Sequence, residues 1–76
     1  MKKIVQIIAR ALVDQPEAVS VAEIAGMHLT IIELSVARED IGKIIGKQGR
    51  TVSALRTIVS AVSSKAKKRS RLKIIE

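Results

Sequence analysis

The chain has 76 residues, 47% of them hydrophobic, with no Phe, Tyr, Trp or Cys and a net charge of +7. That length supports one domain, residues 1–76, whose core must be built from Ile, Val, Leu and Ala. The missing cysteines exclude disulfides and thiol chemistry, the missing aromatics exclude ring stacking on nucleobases, and the charge implies a polyanionic partner, either nucleic acid or an anionic membrane, the plain alternative being a basic protein that is simply soluble.

Met1-Lys2-Lys3 followed by Ile4 to Val13 has the outline of a secretion leader. Gln6 and Arg10 interrupt its apolar stretch, however, and no small-residue cleavage site follows. Lys3 to Val13 therefore reads as an amphipathic helix that buries Ile4, Ile8, Ala11 and Leu12. Asp14-Gln15-Pro16 ends it, because a proline disfavours helix in the residue before it. No run approaches the ~18 apolar residues a membrane span needs, and the reading is of a cytoplasmic protein.

Val19 to Ala25 is short and rich in β-branched residues, and Gly26-Met27-His28 offers a turn. Thr30 to Val36 alternates: Thr30, Ile32, Leu34 and Val36 share one face, with Ile31, Glu33 and Ser35 on the other. Together the two segments predict a β-hairpin. Glu39 and Asp40 stand where a helix would start, which suits its positive dipole end and reads as capping. Ile41, Ile44 and Ile45 form a short apolar turn. A long helix is expected over Arg50 to Lys67, its core stripe being Val52, Leu55, Val59 and Val62. Ser70 to Ile75 is a last strand with Leu72 and Ile74 inward. This order predicts an α+β domain in which the helices pack on one face of a three-stranded sheet.

The stretch from Ile41 to Val52 carries the most chemistry. Gly46 and Gly49 bracket Lys47 and Gln48 between two helices. Glycines at both ends open backbone angles closed to other residues and let a ligand backbone come close. The helix starting near Arg50 turns its free N–H groups toward the same place, an anion-binding arrangement, and Lys47 and Arg50 add positive charge. Two rival glycine motifs fail. A nucleotide P-loop needs four residues between its glycines and a hydroxyl residue after Gly-Lys; Gly42 and Gly46 enclose three, and Gln48 occupies the hydroxyl position. A dinucleotide fingerprint needs a preceding strand, and here a helical turn precedes. An ordinary helix C-cap and tight turn is the plain alternative for the two glycines.

Ile44-Ile45-Gly46-Lys47-Gln48-Gly49-Arg50-Thr51-Val52 resembles the KH domain signature, in which Ile-Ile-Gly-x-x-Gly-x-x-apolar joins two helices. The likeness covers essentially the whole chain. Its element order is that of the bacterial, type II arrangement, and its length and motif are most similar to the small stand-alone KhpA family. The resemblance implies a single-stranded RNA-binding protein with no cofactor, in which Gly46 to Gly49 clamps about four nucleotides. It places Lys47 and Gln48 against phosphates and Ile41, Ile44 and Ile45 in an apolar floor under the bases, with Ile31 to Val36 across the groove. Lys43, Arg50 and Val52 complete the implied contact set. It further implies a homodimer, pairing with a larger Jag/EloR-type KH protein, and a place in RNA chaperoning, post-transcriptional regulation and cell-shape control. The alternative is a protein-interaction adaptor or ribosome-associated factor whose RNA affinity is incidental.

Lys65, Lys67, Lys68, Arg69, Arg71 and Lys73 crowd the end of the long helix. They either suit its negative dipole end or track RNA beyond the groove. Ala54, Ile58 and Ala61 form a second apolar stripe on that helix, which is either further core contact or a self-association surface. His28 stands alone, so no metal site is expected. Adjacent Glu39 and Asp40 diverge, and one His gives no support for a nucleophile–base pair, so no catalytic residue is assigned.

Overall fold

The computed structural model describes residues 1–75. In chain order the elements are α1 (Lys2–Leu12), β1 (Ser20–Ala25), β2 (Thr30–Ser35), α2 (Ile41–Ile45), α3 (Arg50–Lys65) and β3 (Ser70–Ile75), with 3₁₀ turns at Pro16–Ala18, Arg38–Asp40 and Lys47–Gly49. β1 and β2 are joined by the tight turn Gly26–Leu29 and pair antiparallel, Val21 opposite Leu34 and Ile24 opposite Ile31. β2 and β3 are joined by the two-helix crossover and therefore pair parallel, Ile32 beside Leu72 and Leu34 beside Ile74.

The sheet order is β1-β2-β3. Its inner face supplies Val21, Ile32, Leu34 and Leu72, and the helices cover that face with Val5, Ala9, Ile44, Leu55 and Val59. The expected α+β architecture, the hairpin and the alternation along β2 all hold. The crossover hangs α2, the glycine turn and α3 between the two parallel strands.

Two helix faces depart from expectation. α1 buries Val5 and Ala9, with Met1, Ile8 and Val13 packed beside them. Ile4, Ala11 and Leu12, expected inside, are exposed; of the expected stripe only Ile8 meets the core. The cause is composition: apolar residues cover well over half of this helix's circumference, so periodicity does not choose the inward arc, and the small Ala9 permits close approach to the sheet. On α3 the core row runs Val52, Leu55, Val59 and then Ser63, with Val62 only half-buried. The buried Ser63 hydroxyl donates to the Met1 thioether at 3.5 Å, which gives the polar atom a partner. α3 also stops two residues earlier than the expected Lys67.

Candidate nucleic-acid interface

α2 ends at Gly46, whose N–H donates to the Gly42 carbonyl at 2.9 Å. Gly46 then takes φ 76° and ψ 173°, a combination close to glycine-only. A Cβ there would lie 2.6 Å from Thr51 Cβ and 2.9 Å from Thr51 N, so the turn is pressed against the first turn of α3. Gln48 has φ 57° and Gly49 φ 73°, both left-handed, and the Gly49 N–H closes the turn on the Gly46 carbonyl at 3.1 Å. Around Gly49 the space is open. No side chain caps α3, which leaves first-turn N–H groups to whatever the turn meets. The Arg50 guanidinium donates to Gln48 Oε1 at 3.2 Å. Lys47 is exposed and has no ion-pair partner among the described residues. Lys47, Gln48, Gly49 and Arg50 thus share one outward, positive corner.

The other expected contact residues are placed differently. Ile44 has 0% exposure and belongs to the core, and Val52 is also buried; neither side chain is open to a ligand. Ile41 is half-buried and Ile45 exposed, so the apolar surface beside the turn is theirs. Lys43 is committed elsewhere: its Nζ meets Asp14 Oδ2 at 2.6 Å and Asp40 Oδ1 at 3.5 Å. The hydrogen bond to Asp14, with both carboxylates nearby, raises its pKa above the ordinary lysine value against the opposing effect of desolvation.

Asp40 corrects a sequence reading. Its side chain makes no capping hydrogen bond to α2. Instead the carboxylate, 1% exposed, accepts the Gln15 N–H at 3.0 Å and the Asp14 N–H at 3.3 Å. It ties the segment after α1 to the start of α2, the helix that leads into the glycine turn. Burial pushes its pKa up, but the two N–H bonds and Lys43 outweigh that, and it lies below the ordinary value.

β2 is the central strand with both edges paired, and β3 is an edge strand. Arg56 on α3 lines a depression of about 340 Å³ with Ser70, Arg71 and Leu72 of β3. Arg56 escaped the sequence reading. The signal that finds it is cumulative: no carboxylate occurs between Arg50 and Ile75, so α3, the segment after it and β3 bear positive charge alone.

A β-α-turn-α-β unit whose helices are joined by Gly-x-x-Gly, preceded by a helix and strand and closed by a parallel pair, is a KH domain of type II topology. The chain matches the family model for the KhpA/KhpB KH domain over residues 2–74 and belongs to that family. It is 56% identical to the RNA-binding protein KhpA of Caldanaerobacter subterraneus over 99% of this chain and 100% of that one. It is 54% identical to the protein of that name from Halalkalibacterium halodurans over the full length of both, and 50% identical to that of Chlamydia pneumoniae over 100% of this chain and 97% of the other. No solved structure matches. The relatives bear the name of a binding protein, and the family is not an enzymatic one.

Proposed function

We propose that this protein binds single-stranded RNA, clamping about four nucleotides of sugar-phosphate backbone at Gly46 to Gly49. The observation that carries the reading is the turn itself: three residues with left-handed backbone or glycine-only torsions hold uncapped amides and the cations Lys47 and Arg50 at one exposed corner. Full-length relatives named as RNA-binding proteins support it. Ile41 and Ile45 offer aliphatic contact to bases; Lys43, Ile44 and Val52 serve as supports under the turn. With no aromatic residue in the chain, stacking worth about 1–3 kcal/mol per base is lost, so one domain binds weakly and with loose sequence preference.

The test is the double variant Lys47→Asp/Gln48→Asp. Asp tolerates the left-handed backbone at 48 and suits a helix N-terminus, so the fold is kept, while two carboxylates face the phosphates. Affinity for oligoribonucleotides should fall by about tenfold or more, or 1.4 kcal/mol and upward. Unchanged affinity in a folded variant, or amide signals of Gly46 to Arg50 that stay still during titration, would remove the groove mechanism.

The second surface is apolar. Ala54 and Ile58 are exposed on α3, and with Ile8 and Leu12 of α1 they line a depression of about 320 Å³. Ala61 lies one turn further along the same helix. We read this patch as the contact between two copies of the chain, and as the surface that a larger KH protein of the Jag/EloR type would use. Such a dimer would present two glycine turns to one transcript, in post-transcriptional regulation in the cytoplasm. No described helix is long and apolar enough to cross a membrane.

A further inference from the structure

The far end of α3 carries another concave surface. It encloses about 500 Å³ between the β1–β2 turn, residues 25–30, and the segment Lys67–Arg69 that leads into β3. The 16 residues of α3 put it about 24 Å along the helix from the glycine turn. Three cations line it and no carboxylate does.

Its frame is fixed by the backbone. The Lys67 N–H donates to the Ser64 carbonyl at 3.0 Å and the Lys68 N–H to the Ser63 carbonyl at 2.8 Å, a Schellman ending for α3. The Thr30 N–H donates to the Arg69 carbonyl at 2.9 Å and ties the two walls together. Lys67 occupies the left-handed position of that motif, φ 57°, where glycine is the usual residue. Glycine would hold that backbone with less strain, which leaves the Lys67 side chain open to a reason outside the fold.

Met27, 93% exposed at the tip of the turn, lines the same depression as the cations. Anionic groups spaced between flat apolar ones match a surface that offers both cations and a thioether, and nucleic acid has that alternation. Two further depressions lined without any carboxylate, one at Arg56 and Ser70–Leu72 and one at Ser60, Ser64 and Lys68, lie along α3 and β3 between this pocket and the glycine turn. A concave site at the end of such a track fits a strand better than the flat surface of a membrane.

We infer that the pocket between the β1–β2 turn and Lys67–Arg69 is a second contact for the same RNA strand, with phosphate at the three cations and a base against Met27. The footprint then exceeds the roughly four nucleotides of the glycine turn. This rests on the RNA-binding reading above.

The test compares four- and twelve-nucleotide oligouridylates on the unmodified protein and on Lys67→Gly/Lys68→Ala/Arg69→Ala, in which glycine suits the backbone at 67. The twelve-mer should move amide signals of Gly26–Thr30 and Lys67–Arg69 as well as those of Gly46–Arg50, whereas the four-mer should act chiefly at the glycine turn. In the variant the twelve-mer should weaken about tenfold, its advantage over the four-mer should shrink, and its salt slope should drop by about 2, roughly 0.7 per lost contact. A twelve-mer that shifts the glycine turn and leaves the pocket still, or a variant with an unchanged slope, overturns the second site and spares the RNA reading. An unmodified protein that binds neither oligomer overturns both. Cation-dependent cosedimentation with phosphatidylserine vesicles, without any pocket response to the twelve-mer, assigns the pocket to lipid and also overturns the proposal.

Discussion

At Gly46 the torsions and the closeness of Thr51 act together. Gly46→Ala should destabilise the fold by about 2 kcal/mol or more, read from the denaturant midpoint. Gly49 needs only its left-handed φ of 73° and has open space around it. Gly49→Asn should therefore cost less than about 1 kcal/mol, because asparagine tolerates that region. If the folded Gly49→Asn protein still loses RNA, the missing side chain at 49 serves the ligand and not the turn. Asp40 sets a pH dependence at the same scale. Its pKa is lowered in the folded state, so its contribution is present above the unfolded value of about 3.9 and is lost as pH falls through the folded value. Lys43, with a raised pKa, loses its contribution only as pH climbs through that raised value. Thermal melts from about pH 2 to 7 should show an acid limb for the parent. Asp40→Asn should lower Tm at neutral pH and flatten that limb; a limb of the same size in the variant would assign it to other carboxylates.

Among the elements, α3 carries most of the proposed contacts. Its start shapes the glycine turn, its middle faces β3 with Arg56, and its end is closed by the Schellman bonds of Lys67 and Lys68. Holding lysine in the left-handed position costs about 1 kcal/mol relative to glycine. Lys67→Gly alone should raise Tm by about 5 °C in a domain of this size, visible by calorimetry. A lowered Tm would mean that the Lys67 side chain supports the fold, which would remove its outside reason. α1 is divided in another way: one arc enters the core through Val5 and Ala9, while Ile4, Ile7 and Leu12 stay exposed.

For the whole molecule, the proposal gives one end of α3 to phosphate and its flank to apolar association. Ile58 is 39% exposed, so Ile58→Asp should spare the fold while placing a carboxylate in the proposed contact between copies. Sedimentation velocity should show a shift toward monomer; a clearly dimeric parent that stays dimeric after this change would move the interface elsewhere. Arg50 and Thr51 line the same depression as Ile58, so the apolar patch and the cationic corner adjoin at the start of α3.

The linear order of residues was enough for the α+β class, the hairpin, the strand Ser70–Ile75 and the glycine turn, because each is local: alternation, β-branching, and two glycines at a fixed spacing between helical stretches. The exposed corner of Lys47, Gln48 and Arg50 was legible for the same reason. Long-range packing decided the rest. It chose Val5 and Ala9 over Ile4 and Leu12, sent Ile44 inward, and spent Lys43 on Asp14 and Asp40 across 29 and 3 residues of sequence. It also made β2 the central strand and left β1 and β3 as the sheet's edges. A helix apolar around most of its girth, or a lysine within reach of distant acids, has several local solutions of similar energy, and only the assembled sheet and its crossover select among them.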